Sequence, residues 1–303
     1  MSACGNGFSN PSFSAHDRVR ILKGRLEAGR LVVHALLGVY GLVLAYILLG
    51  LIFDFSVSGD VFFGLSFALL FFALGQSVYE LGAKNAIVFL VISSAVGFLA
   101  EALGTNTGIP FGKYHYTDFL GQVVLGVPIV VPLVWFVISY VTFSLCFSYF
   151  YGQRPEKKTR NLLLGLVALC AFGAMAWDLL IDPMFSSYGY WVWDKQVLPI
   201  PEISGIPISN FVGWFVVAFI MVFLFVFALR KSPVVVRRRN IVDSRIVYVM
   251  LLIDGTVANF SLGASHYAVI VVGLAAMGLF LYASYMFSLR QRQAPATEQG
   301  PTV

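Results

Sequence analysis

The chain has 303 residues, of which 59% are hydrophobic, 16% aromatic and only 12% charged. A soluble domain carries about 25% charged residues, so this composition excludes a soluble globular protein, and with it a disordered chain, a collagen and a coiled coil. Lys and Arg outnumber Asp and Glu by 20 to 15, a net charge of +5. The basic residues sit between apolar runs, which is a membrane-topology pattern and gives no reason to expect nucleic acid.

Residues 1–29 are polar and have no short apolar stretch ahead of a small-residue cleavage site, so they are read as a cytoplasmic segment without a signal peptide. Eight apolar runs follow, at about 30–53, 60–81, 84–104, 127–151, 161–182, 208–230, 246–263 and 267–289. Each matches a tilted helical span of roughly 20 residues. The fold class is therefore all-α, a polytopic membrane protein of about eight transmembrane helices, with residues 30–289 as one domain and 290–303 as a cytoplasmic tail. With the N-terminus inside, 18 Lys and Arg residues fall on the cytoplasmic side, and Lys113 and Lys195 alone fall on the other. That split predicts a multi-pass protein of the cell membrane with both termini cytoplasmic and with anionic membrane lipids against the basic loops. Cys4, Cys146 and Cys170 are scattered, with neither metal spacing nor a disulfide framework.

Two stretches of the chain resemble one another. Gly126-Val127-Pro128-Ile129 leads to Trp135-Phe136, and Gly205-Ile206-Pro207-Ile208 leads to Trp214-Phe215 at the same spacing. Each is preceded by a long outer loop with an aromatic cluster ending in Asp: Tyr114-His115-Tyr116-Thr117-Asp118 and Tyr190-Trp191-Val192-Trp193-Asp194. Each loop follows a helix that ends with carboxylates, Glu101 in one, Asp178 and Asp182 in the other. Helices 3–4 and 5–6 are thus read as parallel repeats. The aromatic loops are expected to fold back over the outer mouth of the bundle.

Ionisable residues within spans are costly and each is a functional hypothesis. They are His34, Glu80, Glu101, Asp178, Asp182 and Asp254. Glu101 and Asp178 each lie 17 residues beyond the inner start of their span. At 1.5 Å per residue that is roughly 25 Å up, in the outer third of the bilayer. Asp182 follows one turn later on the same helix face. Asp254 lies near mid-membrane, with Asn106, Asn210, Asn259 and His266 adding polar groups toward the outer level. Glu80 is expected to pair with Lys84 at i+4, and His34 to be a hydrogen-bonded core residue.

Glu101, Asp178 and Asp182 therefore form the candidate catalytic set, with no metal. Carboxylates brought together in an apolar site suit general acid and general base work. Trp191, Trp193 and Trp214 offer ring faces for a cation. Asn106 and Asn210 offer polar groups to orient a water, and Tyr114, His115, Tyr190 and Asp254 complete the candidate binding set. The kit suits protonation of an apolar alkene, formation of a tertiary carbocation and capture by water. Two other classes fit less of the sequence. Asp178 to Asp182 is similar to the Asp-rich motif of a UbiA-type prenyltransferase, but a diphosphate site wants two such motifs and nearby Lys or Arg. The repeat and Asp254 also suit a non-enzymatic carotenoid- or lipid-binding protein or transporter.

The segments Glu101-Ala102-Leu103-Gly104-Thr105-Asn106-Thr107-Gly108, Pro110-Phe111-Gly112-Lys113-Tyr114, Asp182-Pro183, Gly189-Tyr190-Trp191-Val192-Trp193 and Gly205-Ile206-Pro207 through Asn210 to Gly213-Trp214 resemble the carotenoid 1′,2′-hydratase family, the bisanhydrobacterioruberin hydratase and γ-carotene hydratase type. The resemblance spans roughly residues 30–290. It implies a hydro-lyase that adds water to the terminal double bond of an acyclic carotenoid within the bilayer, with other carotenoid-pathway enzymes as neighbours. The reaction needs no redox cofactor, and the sequence has no Gly-rich dinucleotide motif.

Overall fold

A computed structural model describes residues 15–53, 55, 59–152, 160–194, 202–229 and 241–292. Cys4, Arg154, Lys157, Lys158, Lys195, the basic residues from Arg230 to Arg239 and the tail from residue 293 onward lie outside the described residues. Among the described residues there are eight α-helices: α1 (Ala15–Phe53), α2 (Gly59–Leu81), α3 (Ala83–Thr107), α4 (Val130–Gly152), α5 (Arg160–Ser187), α6 (Ile208–Leu229), α7 (Ile241–Ser261) and α8 (Tyr267–Arg292). Five helical stretches are long and apolar enough to cross a membrane: Glu27–Phe53, Ala83–Thr107, Arg160–Ser187, Ile208–Leu229 and Ala264–Phe287. Phe67–Leu81 and Val130–Cys146 are apolar but shorter. The all-α polytopic membrane fold is the one the composition requires.

Boundaries follow local chemistry. Gly82, at φ 79°, breaks the chain between α2 and α3. Glu80 and Lys84 therefore do not share one helix, and the expected i,i+4 pair does not form. The Glu80 carboxylate instead accepts hydrogen bonds from Gln76 at 3.1 Å, Tyr140 at 2.8 Å and Ser144 at 2.9 Å, tying α2 to α4. His34 is no buried core residue either: its Nε2 lies 3.4 Å from Asp243 Oδ1, with 40% of the side chain exposed. α3 ends on Gly108, whose N–H reaches the Gly104 carbonyl in a left-handed cap. α5 runs past the expected end at Asp182, through Pro183 to Ser187, so both of its acidic residues stay helical.

Six short strands lie between the helices. The first, β1 (Tyr114–Tyr116), follows α3, and β2 (Val123–Val124) and β3 (Val127–Pro128) form a hairpin before α4. The second half repeats the order: β4 (Trp191–Trp193) follows α5, and β5 (Glu202–Ile203) pairs with β6 (Ile206–Pro207) before α6. The two hairpin turns share one left-handed backbone, with φ 51° and 79° at Leu125 and Gly126, and 50° and 80° at Ser204 and Gly205. Such turns match the twist of paired strands. β1 and β4 then pair antiparallel with each other, Tyr114 opposite Trp193 and Tyr116 opposite Trp191. Equivalent strands paired antiparallel are what a local two-fold between repeats produces.

The helices obey the same arrangement. α3 packs on α6 and α4 on α5, while α1 and α2 pair with each other and α7 pairs with α8. Lipid is as apolar as Leu, so close backbone approach and ring packing hold the bundle. At Gly97 an added Cβ would lie 2.7 Å from the Trp135 ring, and at Gly213 2.7 Å from the Phe111 ring. Phe89 stacks on Phe225 with centroids 4.1 Å apart. Trp135 and Trp214, the equivalent tryptophans of the repeats, stack at 3.8 Å. Gly97→Ala should therefore overpack this centre and cost about 1–3 kcal/mol. Gly278→Ala, where nothing lies within 4 Å, is the control. Thermal unfolding in detergent should show a lowered midpoint for the first variant and none for the second.

Candidate functional site

The antiparallel β1–β4 pair alternates its side chains, so Tyr114, Tyr116, Trp191 and Trp193 face inward as His115 and Val192 face out. The inward rings form a roof: Tyr114 and Trp193 centroids lie 4.9 Å apart, and Tyr116 and Trp191 5.9 Å apart. Backbone bonds from Thr117 N–H to the Tyr190 carbonyl and from Asp194 N–H to the Lys113 carbonyl extend the pair. Beneath the roof lie the three expected carboxylates, all buried.

Glu101, on α3, has both oxygens occupied. Oε2 accepts hydrogen bonds from the Tyr114 and Tyr116 hydroxyls, the latter at 2.8 Å, and Oε1 accepts one from Trp135 Nε1 at 2.9 Å. Burial, and after it the charge of Glu101, pushes both phenols well above the ordinary tyrosine value, so they remain donors at neutral pH. Asp178 and Asp182 lie one turn apart on α5. Asn210 of α6 donates from Nδ2 to Oδ2 of each, at 2.8 Å to Asp178, and Trp191 Nε1 donates to Asp182 Oδ1. Both amide protons of Asn210 are thereby committed. Glu101 and Asp178 each precede the first inward ring of their strand, Tyr114 and Trp191, by 13 residues. They occupy equivalent places in the two repeats, and Asp182 is the addition particular to the second.

A cavity of about 530 Å³ opens below these groups. Glu101, Asp178, Asp182, Asn210, Tyr114, Tyr190, Trp191, Trp193, Trp214 and Asp254, ten of the expected site residues, line it. Its remaining walls are mostly apolar, from Ile47 and Leu69 to Val134, Ile138 and Leu251. Leu51, Phe55 and Phe119, all exposed, also line it, which gives the cavity an apolar edge suited to acyl chains. Its size is in the usual range for a small-molecule pocket.

Two expected residues are placed elsewhere. Asn106 is exposed and bonds back to the Ala102 carbonyl of its own helix at 2.7 Å. His115 falls on the outward face of β1 and meets Asp194 at 3.2 Å, because strand alternation turns it away from its Tyr neighbours. Asn259 and His266 bond each other at 2.8 Å, and Asn259 holds the Leu180 carbonyl, so this pair braces α7 against α5. Among the cavity residues outside the expected set are Trp135, Tyr116 and Tyr40. Trp135 was visible as the repeat partner of Trp214, and Tyr116 as the second inward position of a Tyr-His-Tyr alternation. Tyr40 carried no sequence signal.

No solved structure matches this chain. A bisanhydrobacterioruberin hydratase from Haloarcula japonica is 27% identical over 182 residues, which is 59% of this chain and 58% of the relative's length. The chain thus spans a little over half of that relative. The family model described as "Carotenoid biosynthesis protein" matches residues 59–280, which takes in every carboxylate and ring of the cavity described above except Tyr40 and Phe55. With that match over well more than half of its length, the chain belongs to the carotenoid biosynthesis protein family.

Proposed function

We propose that this protein is a membrane carotenoid hydratase, a hydro-lyase that adds water across the terminal 1′,2′ double bond of an acyclic carotenoid end to give a tertiary alcohol. The observation that carries this reading is the convergence of three buried carboxylates beneath an aromatic roof at one end of an apolar cavity. Its membership of a carotenoid biosynthesis family and its similarity to a protein named as a hydratase support it. A prenyltransferase needs cations for a diphosphate, and no Lys or Arg is among the described residues that line this cavity.

The hydrogen-bond count divides the roles. An isolated alkene is a weak base and needs a positioned carboxylic acid as proton donor. Glu101 accepts three hydrogen bonds, so neither of its oxygens is left to present a proton to an alkene, and its proposed role is the charge beside the cation. Asp178 and Asp182 share a single donor amide, an arrangement suited to two carboxylates holding one proton. Of their four oxygens, Asp178 Oδ1 alone has no hydrogen-bond donor among the described residues, so Asp178 is the proposed acid. The alkene π pair takes this proton at the carbon that leaves a tertiary cation. The Glu101 charge and the faces of Trp191, Trp193 and Trp214 stabilise that cation. A water oxygen then forms the C–O bond and releases one proton, so the sum is alkene plus water to alcohol.

Asp178→Asn, Asp182→Asn and Glu101→Gln keep the shapes of these side chains and remove the acid or the charge. General acid–base roles are typically worth about 10²–10⁴-fold in rate. In a host that makes an acyclic carotenoid, each variant should bind pigment at matched protein level yet give a ratio of hydrated to unhydrated pigment lower by about that factor. Hydration at the parental ratio in all three would place the acid elsewhere.

We also propose that the protein is a multi-pass protein of the cell membrane with both termini cytoplasmic, since that orientation puts 18 of its 20 Lys and Arg residues inside. Reporter fusions at Asp118 and Asp194 should read outside, and one at Lys157 inside. A cytoplasmic reading at either Asp contradicts the orientation.

A further inference from the structure

Most polar side chains around the acid cluster are already committed, and its two buried unpartnered donors, the indole N–H groups of Trp177 and Trp193, can donate to a water but cannot take its proton. Glu101 is occupied on both oxygens, both amide protons of Asn210 are committed, and Asn106 lies off the cavity. A second polar station nevertheless faces the same space. Tyr40, on α1, is wholly buried and lines the cavity, and its hydroxyl has no hydrogen-bond partner among the described residues. Asp254, on α7, which packs on α1, also lines the cavity, and no described side chain donates to its carboxylate. A phenol and a carboxylate left without protein partners in apolar surroundings are costly unless a polar ligand satisfies both.

Packing sets the depth of this station. The Tyr248 hydroxyl donates to the Gly173 carbonyl at 2.7 Å, and Asn259 Nδ2 to the Leu180 carbonyl at 2.8 Å. Between them Gly255 packs on Leu180, where an added Cβ would lie 2.9 Å from the Leu180 Cβ. α5 and α7 therefore run side by side in the same direction, and Asp254 comes level with the stretch that carries Asp178 and Asp182. The two stations share one depth and one cavity but stand on different walls.

We propose that Tyr40 and Asp254 hold the water that captures the cation. This rests on the hydratase reading above and supplies its missing nucleophile. Asp254 accepts a hydrogen bond from the water, and the Tyr40 hydroxyl fixes its oxygen. The cation forms at the Asp178 side. The water lone pair makes the C–O bond from the Asp254 side, and the proton that the water loses passes to the Asp254 carboxylate. Asp254 returns that proton to solvent and the Asp178–Asp182 pair regains one from it, so no charge accumulates over a turnover. One molecule of water is consumed in each turnover, and a fixed place for it keeps the cation from reverting to alkene.

The test separates protonation from capture. Purified full-length protein is given an acyclic carotenoid in deuterium oxide, and mass spectrometry follows both the alcohol and the deuterium in recovered alkene. In Tyr40→Phe and Asp254→Asn the cation still forms and then loses a proton, so alcohol should fall while deuterium continues to enter the alkene. The ratio of exchange to hydration should rise by about 10²-fold or more for Asp254→Asn, the scale of a lost general base. Asp178→Asn should lose exchange and hydration together. Parental ratios in both station variants overturn the inference, as does loss of exchange together with hydration in Tyr40→Phe that keeps the parental unfolding midpoint. A change confined to KM for carotenoids that already carry a hydroxyl would assign the station to a substrate alcohol and also overturn it. Failure of the parent to hydrate at all strikes the hydratase reading and not the station.

Discussion

A carboxylate taken out of water inside a membrane-spanning bundle must be met by hydrogen-bond donors or protonated, and one end of this bundle is built around that requirement. Glu101 has three donors, two of them on the strand that follows its own helix and one on the next helix. Asp182 has one on the equivalent strand of the second repeat and one on α6. The β1–β4 pair is thus both a lid and a supply of phenol and indole protons. Were the two strands unpaired, Tyr116 and Trp191 would lose their positions and two carboxylates would lose donors.

Duplication explains how such a site arises from ordinary helices. Glu101 and Asp178 stand at equivalent places, as do Trp135 and Trp214, and the stacked tryptophans lie where the repeats meet. A symmetrical pair of carboxylates would do the same thing twice. The second repeat departs from symmetry at Asp182 and Asn210, and the first at its two tyrosines. One half thereby holds a carboxyl group met by three donors, and the other two carboxyl groups bridged by one amide. Under the proposed hydration, that division keeps the proton donor and the group beside the cation apart.

Much of this is legible in the sequence. Hydropathy places seven of the eight helices to within about five residues, while α1 starts at Ala15, fifteen residues before the apolar run at 30, because a helix can continue through polar residues that hydropathy does not register. Depth arithmetic alone puts Glu101, Asp178 and Asp182 at one level, and the Gly-x-Pro repeats register the two halves. Side-chain direction was harder to read. Tyr-His-Tyr and Trp-Val-Trp alternate with period two, yet their pairing joins residues far apart in the chain, and only that pairing turns His115 outward. Glu80 reads as an i,i+4 partner of Lys84 because spacing ignores Gly82, whose positive φ breaks the helix between them. α5 runs past the end of its apolar run at Asp182 because packing inside a bundle carries a helix on through Pro183. Tyr40 and Asp254 come together only through the packing of α1 on α7, which no local pattern announces.

The central claim is that the Asp178–Asp182 pair protonates a carotenoid end and that water, not dioxygen, supplies the oxygen. Its most direct test is a single turnover experiment with purified protein, an acyclic carotenoid and water enriched in heavy oxygen, read by mass spectrometry of the pigment. The account predicts one heavy oxygen in a tertiary alcohol at the chain end, equally under air and under argon, and its loss in Asp178→Asn. Product whose oxygen follows dioxygen, or undiminished product from Asp178→Asn, would contradict it.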